Sequence, residues 1–127
     1  MSNAIIALCL PVMSLDFAHL HGEYALGVII FSMLTTFNQY MPIAAAIVYA
    51  ETAQAYADFM TIVFNVYPAL RQFASMCIIS DRHKGLESEL LRAVFVSIYG
   101  ESFCHVICVL HLVGNVYVCV FSFPTKD

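Results

Sequence analysis

The stretch from Tyr24 to Ala50, YALGVIIFSMLTTFNQYMPIAAAIVYA, holds no Asp, Glu, Lys, Arg or His. Most of its residues are aliphatic or aromatic. A helix of about 20 apolar residues crosses a hydrocarbon core of ~30 Å. Inside lipid, only helices and closed barrels satisfy every backbone donor and acceptor. The stretch is long enough for a tilted crossing, so a transmembrane helix is expected over about 24–50. Pro42 then marks a kink, since neighbouring helices and hydroxyl side chains re-satisfy the backbone at such points. The alternative is a buried core helix of a soluble domain.

Composition agrees with a membrane setting. Hydrophobic residues make up 61% of the 127, against about 45–50% in soluble domains. Charged residues make up 11%, against ~25%. The mean hydropathy is +0.83 and the formal net charge is -4. The length suits one domain, 1–127. There is no basic run or nucleic-acid motif, so no nucleic-acid partner is expected. No phosphate-binding glycine loop or nucleophile motif occurs, so neither a cofactor nor catalysis is expected. The five cysteines, Cys9, Cys77, Cys104, Cys108 and Cys119, form no disulfide framework and read as small buried hydrophobes.

Residues 1–23 read as a short apolar helix and then a polar turn with Asp16, His19, His21 and Glu23. After the first span, residues 51–58 carry only acidic charge. A second apolar segment, 59–80, contains Pro68 and Arg71 and is expected to be a kinked second span. Residues 81–92 carry Arg82, Lys84 and Arg92, three of the five basic residues, and none precedes Arg71. Basic residues concentrate on the cytoplasmic side of membrane helices. The first span therefore runs outward, the second returns, and Arg82, Lys84 and Arg92 form a cytoplasmic basic exit. Residues 93–123 are apolar again; Val116 to Phe121 is rich in β-branched and aromatic residues. A third membrane helix is expected there, with a strand as the alternative for its end. The fold class is thus all-α, a membrane-embedded hairpin or bundle of two to three helices.

The second segment holds Tyr67-Pro68-Ala69-Leu70 and then Cys77-Ile78-Ile79-Ser80-Asp81-Arg82. This resembles the seventh membrane helix of the nematode seven-transmembrane (serpentine) chemoreceptors. Tyr40-Met41-Pro42 resembles the proline region of their sixth helix. The likeness covers about residues 21–84; Arg71-Gln72 stands where the family has Asp-Pro. It implies a chemoreceptor-like membrane protein, a fragment or truncated member of a G protein-coupled sensory family in the plasma membrane. It implies helix hinges at Pro42, Tyr67 and Pro68. The implied partners are the lipid bilayer, other transmembrane helices and, for a full receptor, a heterotrimeric G protein. The alternatives are a small multispan assembly or interaction subunit and a soluble all-helical domain.

Two further constellations follow from spacing. Arg71 precedes Asp81 by about as much as Glu101 follows Arg92, so on antiparallel helices they reach matching depths. An intramembrane Arg71–Glu101 pair is expected, with snorkelling of Arg71 as the alternative. Cys104, Cys108 and His111 would share one helix face. Thiolate and imidazole suit zinc, but a fourth ligand is missing, so no metal is expected.

Overall fold

The protein is described by a computed structural model covering residues 6–23, 25–81, 85–108 and 119–122. Its elements alternate between strand and helix. Strands β1 (Cys9–His19), β2 (Gly27–Thr35) and β3 (Tyr40–Val48) come first. Helix α1 (Ala53–Val66) and β4 (Met76–Ser80) follow, then α2 (Glu89–Tyr99), β5 (Phe103–Cys108) and β6 (Cys119–Ser122). The six strands form one sheet in the order β3-β2-β1-β4-β5-β6. β1 is antiparallel to β2 and parallel to β4, and β4 is parallel to β5. The architecture is mixed α/β, not an all-α membrane bundle. No helix among the described residues is long and apolar enough to cross a membrane.

The expected first span is a hairpin. Its charge-free run is split by Thr36-Phe37-Asn38-Gln39 between β2 and β3. Asn38 takes a left-handed φ of 64° there, which Asn tolerates better than most residues. Thr35 fastens the turn: its amide donates to Gln39 O at 2.8 Å and its hydroxyl accepts from Phe37 N at 3.3 Å. Two nine-residue strands therefore occupy the length that one membrane helix would need. The expected second span divides too. Thr52 caps α1 by accepting from Ala55 N at 3.1 Å. Helix α1 ends before Pro68, whose preceding residue is pushed away from helical geometry: Tyr67 has φ -119° and ψ 77°. Pro68 then opens a short 3-10 turn, Pro68–Gln72, and β4 follows. In the expected third span, α2 stops at Gly100 (φ 64°) and strand β5 begins at Phe103. The expected N-terminal helix is largely β1.

Alternation along the strands selects the face that the helices cover. Met13 and Leu15 on β1, Ile29, Phe31 and Met33 on β2, and Met76 and Ile78 on β4 are all buried. Helix α1 adds Tyr56, Phe59, Met60, Val63 and Phe64, and α2 adds Leu91, Phe95 and Tyr99. Phe64 sits at the centre of this layer. Its ring meets Phe95 edge-on at 5.9 Å and Tyr99 at 5.8 Å. The Tyr99 hydroxyl donates to Leu70 O at 2.7 Å, tying α2 to the turn before β4.

Two positions on α1 test this layer. Phe64 is fully buried, and Ile62 is 60% exposed. Phe64→Ala is expected to cost about 3–5 kcal/mol, and Ile62→Ala no more than about 0.5 kcal/mol. Urea denaturation reads both, as a midpoint shift at constant slope.

Candidate functional site

β1 and β4 run parallel in the register Val12↔Cys77, Met13↔Ile78, Ser14↔Ile79 and Leu15↔Ser80. The next residue on each strand path is an aspartate, Asp16 on β1 and Asp81 just past β4. Neighbouring strands lie about 4.8 Å apart, so the two aspartates stand side by side where the β1–β4 pairing ends. Asp16 lies within β1, paired with Ile30 of the antiparallel β2, and Asp81 follows the carboxyl end of β4. Such ends are where open α/β sheets bind ligands. Period-2 alternation turns Leu15 and Ser80 into the core, so Asp16 faces outward and is exposed. Asp81 is half-buried, with Oδ1 shielded from solvent.

A third carboxylate stands nearby. Glu51 lies just before the Thr52 cap of α1, and the Tyr56 hydroxyl donates to its Oε1 at 2.7 Å. Tyr56 is fully buried. Burial pushes its phenol far above the usual range, and the hydrogen bond and charge of Glu51 push the same way. The charges of Asp81 and Asp16 add to this shift. Tyr56 thus stays protonated as a donor where the fields of all three carboxylates overlap.

On the other flank of β4, a cleft of about 290 Å³ is lined by residues including Ile78, Glu87, Arg92, Phe103 and His105. His105 Nε2 is hydrogen bonded to the Ser80 hydroxyl. That hydroxyl has one proton and donates it to Asp81 O at 3.1 Å. Through Ser80, the wall of the cleft is bonded to the backbone of Asp81. Burial lowers the His105 pKa, and the charge of Glu87 opposes this in part.

Of the residues expected to function from the sequence, Arg92 lines this cleft. Pro42 is in edge strand β3, where a missing backbone donor is tolerated. Tyr67 caps the end of α1, with its N–H on Val63 O, and its hydroxyl donates to Ile43 O at 3.4 Å. Pro68 opens the 3-10 turn, so neither it nor Tyr67 lies inside a spanning helix. Arg71 donates to Phe64 O at 3.4 Å and Asn65 Oδ1 at 3.0 Å, while Glu101 is exposed in the turn after α2. Arg92 lies over the Phe103 ring at 5.7 Å. Arg82 and Lys84 fall outside the described residues. Cys104 and Cys108 lie on strand β5, not on a helix, and His111 is outside the described residues. Among the described residues, no three His, Cys, Asp or Glu side chains converge as a metal group.

The family model of the MULE transposase domain matches residues 12–115. The chain belongs to the MULE transposase domain family. The match takes in both Asp16 and Asp81. No curated relative matches the chain. Among solved structures, the chain is similar to a chain in the cryo-electron microscopy structure of the simian T-cell lymphotropic virus intasome in complex with PP2A regulatory subunit B56 gamma. The TM-score is 0.55 at 14% identity, over 77% of this chain and 32% of that one. At that identity the likeness concerns the fold.

Family membership overturns the resemblance to serpentine chemoreceptors and the receptor and membrane-subunit readings built on it. The motifs behind that resemblance are the end of α1 at Tyr67-Pro68 and the end of β4 at Ile78 to Asp81. With no crossing helix among the described residues, the bilayer, transmembrane-helix and G protein partners lose their basis. The plasma-membrane placement loses it as well. The expected exclusion of nucleic acid is overturned by membership of a transposase domain family. The same membership conflicts with the expectation of no catalysis.

From the sequence alone Asp16 falls in a polar turn and Asp81 in a charged loop, and Glu51, Tyr56 and His105 have no role. A signal was present: apolar strand-like runs, PVMSL and MCIIS, each end directly in aspartate.

The lowered His105 pKa has a consequence for stability. An unfolded histidine protonates near pH 6.5, while folded His105 resists protonation at that pH. Between the two pKa values the unfolded chain binds more protons, so stability rises with pH. His105 therefore contributes stability that is fully present above about pH 6.5 and lost as pH falls through its lower folded pKa. His105→Gln should show a shallower loss of stability on acidification below pH 6.5 than the parent chain. Urea titrations across the acid range measure this.

Proposed function

We propose that the chain supplies a metal-binding carboxylate pair, Asp16 and Asp81, for cutting or joining DNA strands in transposition. The observation that carries this reading is their placement, each directly after the last register pair of parallel β1 and β4, Leu15↔Ser80. Membership of a transposase domain family supports it.

The donor set fits a hard divalent cation such as Mg²⁺, which binds oxygen ligands and commonly uses one or two carboxylates plus substrate phosphates. When bound, such ions stabilise the attacking and leaving oxygens of an in-line phosphoryl displacement. The chain's own residues hold and orient. Asp16 is open to solvent and substrate, and Asp81 is fixed from behind through Ser80 and His105. Glu51, held by Tyr56, adds negative charge beside the pair. Three acidic groups repel the DNA backbone unless cations stand between them, so the site is suited to phosphate only when loaded.

Mn²⁺ titration followed by amide NMR tests the reading without requiring turnover. Paramagnetic broadening should begin around residues 14–17 and 79–81 and vanish in Asp16→Asn and Asp81→Asn. Broadening that persists in both variants, or that centres elsewhere, would overturn the assignment. Nicking of supercoiled DNA by longer chains that contain this domain should require Mg²⁺ and be lost in either aspartate variant.

A further inference from the structure

The sheet face turned away from the helices carries a second side-by-side pair. β4 and β5 run parallel, and Cys77 is the register partner of Cys104. Directly paired residues of parallel strands point to the same face. Their chain neighbours Met76, Ile78 and Phe103 are buried under the helices, so both thiols lie on the opposite face. Each is partly exposed. Adjacent strands stand about 4.7–4.9 Å apart, inside the ~4.4–6.8 Å range of Cα separations that a disulfide spans.

We propose that Cys77 and Cys104 form a dithiol site that reacts with a small disulfide, such as glutathione disulfide, and closes into a cross-strand disulfide. A thiolate of one cysteine attacks one sulfur of glutathione disulfide. That sulfur–sulfur bond breaks, and one glutathione leaves as thiolate and takes up a proton. The second cysteine loses its proton and attacks the protein sulfur of the mixed disulfide, expelling the second glutathione. Two protein thiols are oxidised to one disulfide, and one glutathione disulfide is reduced to two thiols.

The geometry also sets how firmly the bond holds. In-register side chains start near the strand spacing, whereas disulfide Cβ atoms lie about 3.8 Å apart. The strands must draw together, and a bridge strained in this way is readily reduced. Cys9 stands apart: it is buried and its register partner is Thr35. Cys108 is in register with Cys119 across β5 and β6, so the test must locate the bond. The proposal does not depend on the carboxylate site.

Treatment of the whole chain with glutathione disulfide, alkylation of remaining thiols and peptide mass mapping test it. The expected product is a Cys77–Cys104 linked peptide, short of two hydrogens and carrying no glutathione, which millimolar dithiothreitol reopens. Cys104→Ser should trap the intermediate as a stable glutathione adduct on Cys77. Lasting glutathione on both cysteines, two unmodified thiols, or a bond from either to another cysteine would overturn the proposal. If Cys104→Ser does not fold, the peptide map of the parent chain decides alone.

Discussion

The structure depends on one-sided coverage of its sheet. Helices α1 and α2 pack on the same face, and their aromatic layer around Phe64 buries Met13 and Leu15 on β1 and every second residue of β2 and β4. This frees the alternate residues from core duty. Ser14, Asp16, Cys77 and Cys104 all belong to that alternate set. An aspartate in the middle of an apolar strand would be costly on the helix side, where no water reaches it. On the other side it is affordable, and parallel pairing brings a second aspartate alongside.

Charge is concentrated in the same region. Asp16, Asp81 and Glu51 all act on the buried Tyr56 phenol, which responds by holding its proton more tightly. The clustering works against folding, since like charges gathered in a partly buried place repel. Natural proteins keep such local conflicts where function requires them. The conflict is confined to one end of the sheet, while the helix layer beneath is apolar and well packed.

Much of the local structure was legible from residue types, but its assembly was not. Pro68 marked a break, and the helix does end there, although within a connection between elements and not as a hinge in a span. Hydropathy misled because a charge-free run has the same composition whether it forms one long helix or two strands. The deciding residues were Thr35 to Gln39, whose hydroxyls and amides make a turn. The alternation beginning at Gly27 points the same way, because its odd-numbered positions are buried. The carboxylate pair was hidden for a different reason. Asp16 and Asp81 are far apart in sequence, and only the β1–β4 register places them together. Spacing rules for helices and short motifs cannot express a pairing across a sheet.

That register also orders events in time. Parallel strands cannot be joined by a tight turn, and the β2–β3 hairpin and α1 lie between β1 and β4 in the chain. The hairpin closes a short loop and can form within microseconds. The parallel pairing closes a long one, and its entropy cost comes before its contacts repay it. The two aspartates therefore come together only with the long-range β1–β4 pairing. A nascent or partly unfolded chain carries both acidic residues apart, and their juxtaposition arrives with the native sheet.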